Sequence, residues 1–256
     1  TARLYEEGIV PTMSKPLTEM MFEHISLQDG DRVLDVACGT GITTRVAAER
    51  FRNITSIVGV DLNPGMLEVA RENAPASTIS IEWRQADACA LPLLDNSFDV
   101  VLCQHGLQFI PDKLTALREM KRVLVPSGRL ALTVWAEPTP YQAALADSLK
   151  LHISEEAKTS CLAPFSLRDV ATIQELLDAG GFHITQMQQL VLMRRLSASV
   201  LDFASRQPYA YEVESASQEA RAAIEREVRT AVESYRDDDG VFVVPQESHL
   251  ILARVP

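Results

Sequence analysis

The sequence predicts an α/β fold in which an open, mostly parallel sheet has helices on both faces. The first observation is that short apolar runs alternate with amphipathic segments along residues 31–136, an order typical of β-α-β units. The second is the stretch 33–51, where a β-branched and aliphatic run leads into Gly39 and Gly41 and then into a helical pattern. The third is size, since 256 residues, of which 46% are hydrophobic, can enclose the core of one such domain.

Each element of this fold has a local signal. Alternating or continuous apolar residues mark the strands, and apolar residues three and four positions apart mark the helices. Asn63 is a favourable N-cap and Pro64 a favourable first residue for one helix, and Asp112 caps another. Residues 1–12 are predicted to be irregular and 126–128 to form a turn. The predicted strands cover about 33–36, 56–61, 79–83, 98–103, 130–135, 182–195 and 249–255. The predicted helices start at about 14, 42, 64, 112 and 166, with further helical pieces at 198–206 and 216–235.

Charge and cysteine content argue against several classes of partner. Lys and Arg number 24 against 35 Asp and Glu, a net charge of −11 that argues against nucleic acid or an anionic membrane as the main partner. No signal peptide and no run of about 18 apolar residues is visible, so no membrane insertion is expected. The spacing of Cys38, Cys89, Cys103 and Cys161 fits no zinc pattern, and free buried thiols indicate a reducing, cytoplasmic location.

Polar residues follow four successive predicted strands. Asp35 and the two glycines end the first strand, Asp61 ends the second, Asp87 follows the third, and Gln104 and His105 follow the fourth. Ligands of open α/β sheets bind outside the carboxyl ends of the strands. These residues are therefore expected to line one crevice, although they are spread over 70 positions of sequence.

The glycine turn indicates which ligand the crevice holds. A dinucleotide fingerprint, Gly-x-Gly-x-x-Gly, needs a third glycine, and Thr44 follows here instead. Asp35 lies at the strand end beside the turn, where its charge would oppose a pyrophosphate and attract a ligand with an ammonium group. The stretch Asp35-x-x-x-Gly39-x-Gly41 resembles the first motif of the class I S-adenosylmethionine (SAM) methyltransferases.

The resemblance covers about residues 31–136. Residues 87–88 resemble the third motif of the family, 98–101 the fourth and 124–128 the fifth, where Ser127 stands in the middle place of the usual Pro-Gly-Gly. The chain is most similar to the type 11 group of small-molecule methyltransferases, which includes the ubiquinone and menaquinone C-methyltransferases. We therefore predict a Rossmann-like open sheet, mostly parallel with an antiparallel last strand, and SAM as the cofactor.

The resemblance also implies roles for the residues of the turn. Asp35 would hold the ammonium group of the methionine end of SAM, directly or through water. Asp61, 20 residues after Gly41, would accept both ribose hydroxyls, as carboxylates do in NAD sites. The backbone of the turn would lie against the cofactor at Ala37, Gly39, Thr40 and Gly41.

Further contacts are implied at the adenine end of the cofactor. Leu62 and Met66 would enclose the ring, and Asp87 or the amide of Ala88 would read its edge atoms. In many relatives a tyrosine near the N-terminus folds over the cofactor as a lid, and Tyr5 is the candidate here.

His105 is the predicted catalytic residue, and Gln104 beside it is a predicted cofactor contact. Both enter the crevice after strand four, and imidazole can take up a proton near neutral pH. Neither an Asn-Pro-Pro-Tyr motif nor an acid at 103–105 follows this strand, so neither a nucleobase amine nor a magnesium-held catechol is expected as acceptor, and no metal is expected. The predicted acceptor is a small organic molecule with an O, N or activated C nucleophile.

We therefore predict a SAM-dependent methyltransferase of a small metabolite, built as one domain over 1–256 and acting as a monomer or homodimer. Residues 1–30 would supply an N-terminal lid and helix, 31–136 the SAM-binding core, and 138–165 and 196–236 a helical cap over the substrate. One alternative is a SAM-binding regulatory or non-catalytic subunit. A second, an NAD(P)-dependent oxidoreductase, is disfavoured by the acid at the strand end and the missing third glycine.

Overall fold

A computed structural model describes residues 2–196 and 210–256 of the chain. The strands in these ranges are β1 (Arg32–Val36), β2 (Ser56–Asp61), β3 (Ser80–Gln85), β4 (Phe98–Gln104), β5 (Leu124–Trp135), β6 (His183–Leu196) and β7 (Phe242–Arg254). They form one open sheet in the order β3-β2-β1-β4-β5-β7-β6. The predicted open sheet is confirmed.

The pairing of the strands fixes where a ligand can bind. β1 pairs in parallel with both β2 and β4, and the pairs β2–β3 and β4–β5 are also parallel. Val255 donates a backbone hydrogen bond to Gly128, and Ala136 donates one to Glu247, so β7 runs antiparallel to β5, as predicted. Because β2, β1 and β4 are parallel neighbours, their carboxyl ends meet at one edge of the sheet.

Helices connect these strands, and two of them have the caps that the sequence predicts. The side chain of Asn63 accepts a hydrogen bond from the backbone of Gly65, and that of Asp112 accepts one from Thr115. The helices in the described ranges are α1 (Ala2–Gly8), α2 (Lys15–His24), α3 (Ile42–Arg50), α4 (Pro64–Glu72), α5 (Lys113–Val123), α6 (Pro140–His152), α7 (Glu155–Leu162), α8 (Val170–Gly180), α9 (Ala210–Ser215) and α10 (Gln218–Ala231).

The N-terminal segment departs from the prediction. The sequence predicts irregular backbone over 1–12, but α1 covers most of this stretch and a π-helical turn, Val10–Ser14, runs from it into α2. No residue of α1 is buried, so the segment lacks the apolar spacing by which a sequence reveals a helix. Ion pairs join it to the rest of the unit instead, from Arg3 to Glu72 and from Glu6 to Arg45.

Two strands are longer than their sequence patterns predict. β5 runs through the predicted turn at 126–128, where Ser127 has a φ of 62°. β7 begins at Phe242 instead of residue 249, and its buried positions include the polar Gln246 and Ser248. These two polar residues interrupt the apolar alternation on which a strand prediction rests.

The chain divides into two compact units, and the first consists of residues 1–134, 167–190 and 248–256. Its core lies on both faces of the strands. Val33 of β1 packs in one cluster with Phe22 of α2 and Val46 of α3. The next residue, Leu34, packs in another cluster with Leu117 of α5 and Leu177 of α8. Since successive strand residues point to opposite faces, helices cover both faces, as predicted.

The second unit consists of residues 135–166 and 191–247. It contains both segments predicted as the substrate cap, although the predicted helical piece at 198–206 lies outside the described residues. The apolar core of this unit joins α6, α7 and α10 through Leu149, Cys161, Ile224 and Val228. Its role as a cover for the substrate stays a prediction. Within the described ranges, no helix has the length and apolarity needed to cross a bilayer, and no three potential metal ligands are grouped together.

Candidate functional site

The turn after β1 allows a ligand to approach the backbone closely. Ala37, Gly39 and Gly41 all have positive φ values, of 55°, 55° and 82°. A Cβ atom at Gly41 would collide with the indole of Trp83 on β3, so only glycine fits there. The turn leads directly into α3, whose first N–H groups have no partner within the helix and favour a polar ligand. The predicted contacts at Ala37, Gly39, Thr40 and Gly41 therefore lie on one turn, in which Ala37 and Gly39 are half-buried and Thr40 and Gly41 are buried.

Asp61, at the end of β2, is joined to this turn. Its Oδ2 accepts a hydrogen bond from the N–H of Gly39 at 2.8 Å, and its Oδ1 accepts one from the N–H of Asn63 at 2.8 Å. One carboxylate thus fixes both the glycine turn and the start of α4. Asp61 is half-buried, and each carboxylate oxygen has a second lone pair. This geometry supports the predicted contact with two ribose hydroxyls.

The loop after β2 presents apolar surface beside Asp61. Leu62 is 65% exposed, and Met66 is half-buried in the first turn of α4. Gln85, at the end of β3, donates a hydrogen bond to the carbonyl of Leu62 at 3.1 Å and so holds this loop in place. Single exposed leucines are common on protein surfaces, so the adenine contact stays a prediction.

Asp87 has a local structural function. Its Oδ1 accepts a hydrogen bond from the N–H of Cys89 at 2.8 Å, and the carboxylate is exposed. Ala88 is half-buried against the core of the first unit. The loop is therefore ordered by its own acid, and its predicted contact with the adenine edge stays a prediction.

Asp35 is buried at the end of β1. It is 1% exposed, and its Oδ2 accepts a hydrogen bond from the hydroxyl of Thr44 in α3 at 2.7 Å. Burial raises the pKa of this carboxyl group to about 7, although its hydrogen bonds with Thr44 act in the opposite direction. One carboxylate oxygen is thus engaged by α3, and the contact of Asp35 with an ammonium group stays a prediction. In the sequence, Thr44 is notable only because it stands where a third glycine would be, so its hydrogen bond to Asp35 is not predicted.

The side chain of Gln104 is engaged by hydrogen bonds within the protein, and its predicted contact with the cofactor stays a prediction. Its Oε1 accepts hydrogen bonds from the hydroxyls of Thr18 and Thr43 at 2.6 Å each, and its Nε2 donates to the carbonyl of Ser14 at 3.0 Å. The amide therefore joins the N-terminal segment and α3 to the end of β4. The position of Gln104 at a strand end suggests a ligand contact. The sequence does not reveal its partners within the protein, because they are 61 to 90 positions away.

Tyr5 and α1 lie near the glycine turn. The hydroxyl of Tyr5 is 2.9 Å from the Oγ of Ser14, and burial, with a further contribution from the charge of Asp61, raises the pKa of the phenol. Glu6 of α1 pairs with Arg45 of α3 at 2.6 Å, and Arg45 also donates to the carbonyl of Thr40 at 3.0 Å. The helix that carries Tyr5 is therefore fastened to the turn, which supports the predicted lid.

His105 adopts a left-handed backbone at the end of β4, with a φ of 50°. Such a conformation is uncommon outside glycine and often marks a functional position. Its N–H donates to the carbonyl of Thr133 on β5 at 2.9 Å. The ring lies between two hydroxyls, with Nε2 at 2.9 Å from the Oγ of Ser248 and Nδ1 at 3.4 Å from the Oγ1 of Thr133.

The prediction that His105 takes up a proton near neutral pH is wrong. Burial lowers the pKa of the imidazole to about 3, because the charged form of the ring loses the hydration that it would have in water. The side chain is therefore neutral at physiological pH and a weak base. Ser248 and Thr133, which contact it, are absent from the sequence-based site. Ser248 was missed because the predicted last strand starts one residue after it.

Two buried polar atoms near the turn test whether these residues fit SAM. In the described structure, the Oγ1 of Thr40 and the Oε2 of Glu6 have no hydrogen-bond partner. Buried polar atoms normally find one in protein, water or ligand. SAM carries ribose hydroxyls and an ammonium group that can donate to oxygen atoms of this kind. The glycine turn, Asp61 and these two oxygens therefore fit the cofactor.

Comparison with known proteins agrees with this arrangement. Residues 34–132 match the family described as methyltransferase domain, Methyltransf_11. The demethylmenaquinone methyltransferase of Staphylococcus aureus is 37% identical to this chain over 119 residues, which are 46% of this chain and 49% of that protein. The chain thus spans about half the length of the curated relatives it matches.

Solved structures share the fold over most of the chain. A proposed methyltransferase of Bacillus halodurans superposes with a TM-score of 0.64 at 19% identity, covering 93% of this chain and 98% of that one. The [4+2]-cyclase SpnF superposes with a TM-score of 0.59 at 22% identity, covering 94% and 80%. A fold shared with a cyclase does not by itself fix the reaction.

The similarity to the methyltransferase family lies in one continuous segment. That segment runs from β1 into β5 and includes the glycine turn, Asp61, Asp87 and His105. The motifs that it contains are those by which the sequence resembles the family. Residues 34–132 of the chain are thus similar to the methyltransferase domain family, Methyltransf_11.

Proposed function

We propose that this protein transfers the methyl group of SAM to an O, N or activated C nucleophile of a small organic acceptor. The observation that carries the proposal is the bond between Asp61 and Gly39. This bond joins the glycine turn to the acid that would bind the ribose, at the carboxyl edge of the sheet. A dinucleotide site has a third glycine, whereas here Thr44 holds the buried Asp35, which suits the ammonium group of SAM.

When bound, SAM would supply the electrophile, a methyl group on a positively charged sulfur. The protein then has to hold the cofactor and the acceptor, orient them toward each other and exclude water. Asp61 and the turn from Ala37 to Gly41 would fix the adenosine and methionine ends. Tyr5, on the helix fastened by the Glu6–Arg45 pair, would exclude water from the cofactor.

The side chain of His105 would act near the acceptor. With a pKa of about 3, the imidazole is a poor general base, so we assign it a hydrogen-bonding role. The two nitrogens of the neutral ring lie beside the hydroxyls of Ser248 and Thr133, so the hydrogen bonds of the ring would orient these hydroxyls and the ring itself next to the acceptor. An acceptor that ionises readily, such as an enol or a phenol, would suit this site best.

The name of the Staphylococcus aureus relative does not identify the acceptor of this protein. The 119 matched residues cover less than half of this chain, and the family match ends at residue 132, within the cofactor-binding strands. Beyond His105, the groups that bind the acceptor would come from outside this segment, and the predicted cap segments are the candidates. The four cysteines are free and the net charge is −11, which support a cytoplasmic enzyme of small molecules.

Turnover distinguishes this proposal from its alternatives. The protein would be incubated with methyl-labelled SAM and a panel of phenols, enols and amines, and labelled products and S-adenosylhomocysteine counted. Labelled product from one acceptor class supports the proposal. Tight SAM binding with no labelled product from the panel would favour the non-catalytic subunit, and binding of NADH but not of SAM would favour the oxidoreductase.

A further inference from the structure

The indole of Trp83 fills a space that two glycines leave open. Gly41 ends the turn after β1, and Gly59 lies within β2. An added Cβ atom at Gly59 would lie 2.5 Å from the Cε3 of this indole, and one at Gly41 would collide with its Cη2 and Cζ3 atoms. One ring therefore lies against the backbone of both elements, at a distance that a side chain at either glycine would prevent.

Strand pairing places this indole at the ligand-binding end of the sheet. Asp35 of β1 is the register partner of Gly59, and Gly59 is the register partner of Trp83 on β3. Partners at one level of a parallel sheet have their side chains on the same face, so Trp83 shares its face with Asp35 and with α3, which bonds to Asp35. Gly59 lies between them without a side chain, and the ring extends across it toward the turn.

The surroundings of Trp83 differ from those of an ordinary core aromatic. The side chain is half-buried, and among the residues that the structure describes it belongs to neither apolar cluster of the first unit. Ile81, two residues earlier on the same face of β3, packs instead in the cluster that contains Val33 and Val46. Trp83 thus places its large ring on glycine backbone, which indicates that it supports the turn.

The turn needs support because part of its backbone is strained. Ala37 has a φ of 55°, a left-handed conformation that a residue with a Cβ atom retains only where the surrounding structure enforces it. Hydrogen bonds with Asp61 and Arg45 hold the middle of the turn. At Gly41, where the turn enters α3, the indole supplies the packing contact.

We propose that Trp83 is a positioning residue of the cofactor site, whose indole holds the glycine turn in the conformation that binds SAM. The inference rests on the proposed use of SAM. Trp83 acts through Gly41 and takes no part in methyl transfer itself. Without the ring, the turn and the first N–H groups of α3 would lose the alignment that a bound cofactor requires.

The test measures the dissociation constant of S-adenosylhomocysteine by calorimetry on the full chain. Trp83→Leu removes the ring, and Trp83→Phe keeps a smaller one. We expect Trp83→Leu to bind at least about tenfold more weakly than the wild type, with Trp83→Phe between the two. Ile81→Ala is the matched control, because it removes apolar contacts from the same face of the same strand. It should melt at a lower temperature and bind with the affinity of the wild type.

A double-variant cycle tests whether the ring acts on the turn. Gly59→Ala would push against the indole, so on its own it should weaken binding. Adding Gly59→Ala to Trp83→Leu should cause no further loss, because the ring that the new methyl group would displace is gone.

Three results would overturn the role of the indole. The first is unchanged affinity in both Trp83 variants, and Trp83→Phe alone decides this point if Trp83→Leu does not fold. The second is an equal loss of affinity in Ile81→Ala, since the whole sheet would then respond to any lost contact. The third is additive losses from Gly59→Ala and Trp83→Leu. Failure of the wild type to bind S-adenosylhomocysteine would instead overturn the proposed function.

Discussion

The imidazole Nε2 of His105 lies 2.9 Å from the hydroxyl oxygen of Ser248, a residue 143 positions further along the chain. On the other side of the ring, Nδ1 is 3.4 Å from the hydroxyl of Thr133. Residues of β5 and β7 thus hold one side chain that follows β4. Since the pKa of this ring is lowered to about 3, its contribution is expected to be orientation and hydrogen bonding instead of proton uptake.

His105→Ala should therefore lower kcat while leaving the dissociation constant of SAM nearly unchanged, because the ring acts near the acceptor. Ser248→Ala should lower kcat in the same direction and less. Neither the wild type nor Ser248→Ala should show an inflection in rate near pH 6.5, since a ring with a pKa of about 3 is neutral throughout that range. A wild-type inflection near pH 6.5 that disappears in His105→Ala would contradict this account.

Gln104→Leu should lower the free energy of unfolding by about 1–3 kcal/mol, since it removes the bonds of the amide to the Ser14 carbonyl and to the hydroxyls of Thr18 and Thr43. Affinity for SAM should fall as well, because the amide joins the N-terminal segment to α3. Urea unfolding and calorimetry measure the two effects, with Gln186→Leu as the exposed control. If Gln104→Leu kept its stability but lost SAM affinity, the amide would be a direct cofactor contact after all.

Binding of SAM should release a proton from Asp35. Burial raises the pKa of this acid to about 7 from an ordinary value near 3.8, so at pH 6 it is mostly protonated in the free protein. A nearby ammonium group stabilises the carboxylate and lowers that pKa, so affinity should increase as the pH rises toward 7 and then level off. The contribution of Asp35 to the stability of the folded state is fully present below about pH 4 and is lost as the pH rises through about 7.

Calorimetry at pH 6 in two buffers of different ionisation enthalpy measures how many protons are released when the ligand binds. SAM should release a proton, whereas 5′-methylthioadenosine, which has no ammonium group, should not. Asp35→Asn should abolish the difference between the two ligands. Proton release of the same size for both ligands would remove Asp35 from the methionine end.

Much of the first unit could be predicted because its signals are local. The apolar runs of β1, β2 and β4, the cap at Asn63 and the glycines of the turn each lie within a few residues of what they explain. The order of acids after the strands then indicated a single crevice. For the same reason α1 was missed, since ion pairs with distant helices stabilise it and no buried apolar face marks it.

What could not be predicted depends on pairs that are distant in the sequence. Gln104 is engaged by three residues of other elements, and His105 by hydroxyls of β5 and β7. A histidine at a strand end suggests a base, but its pKa depends on burial, which the sequence does not show. The start of β7 was missed because Gln246 and Ser248 interrupt its apolar alternation.

The central claim is that Asp61 and the glycine turn bind the adenosine of SAM. Titration calorimetry of S-adenosylhomocysteine into the wild type, into Asp61→Ala and into the exposed control Asp147→Ala tests it most directly. A hydrogen bond to a charged group contributes about 1.5–3 kcal/mol, so Asp61→Ala should bind at least about tenfold more weakly, while Asp147→Ala should match the wild type. Equal dissociation constants for all three proteins, or no binding by the wild type, would contradict the claim.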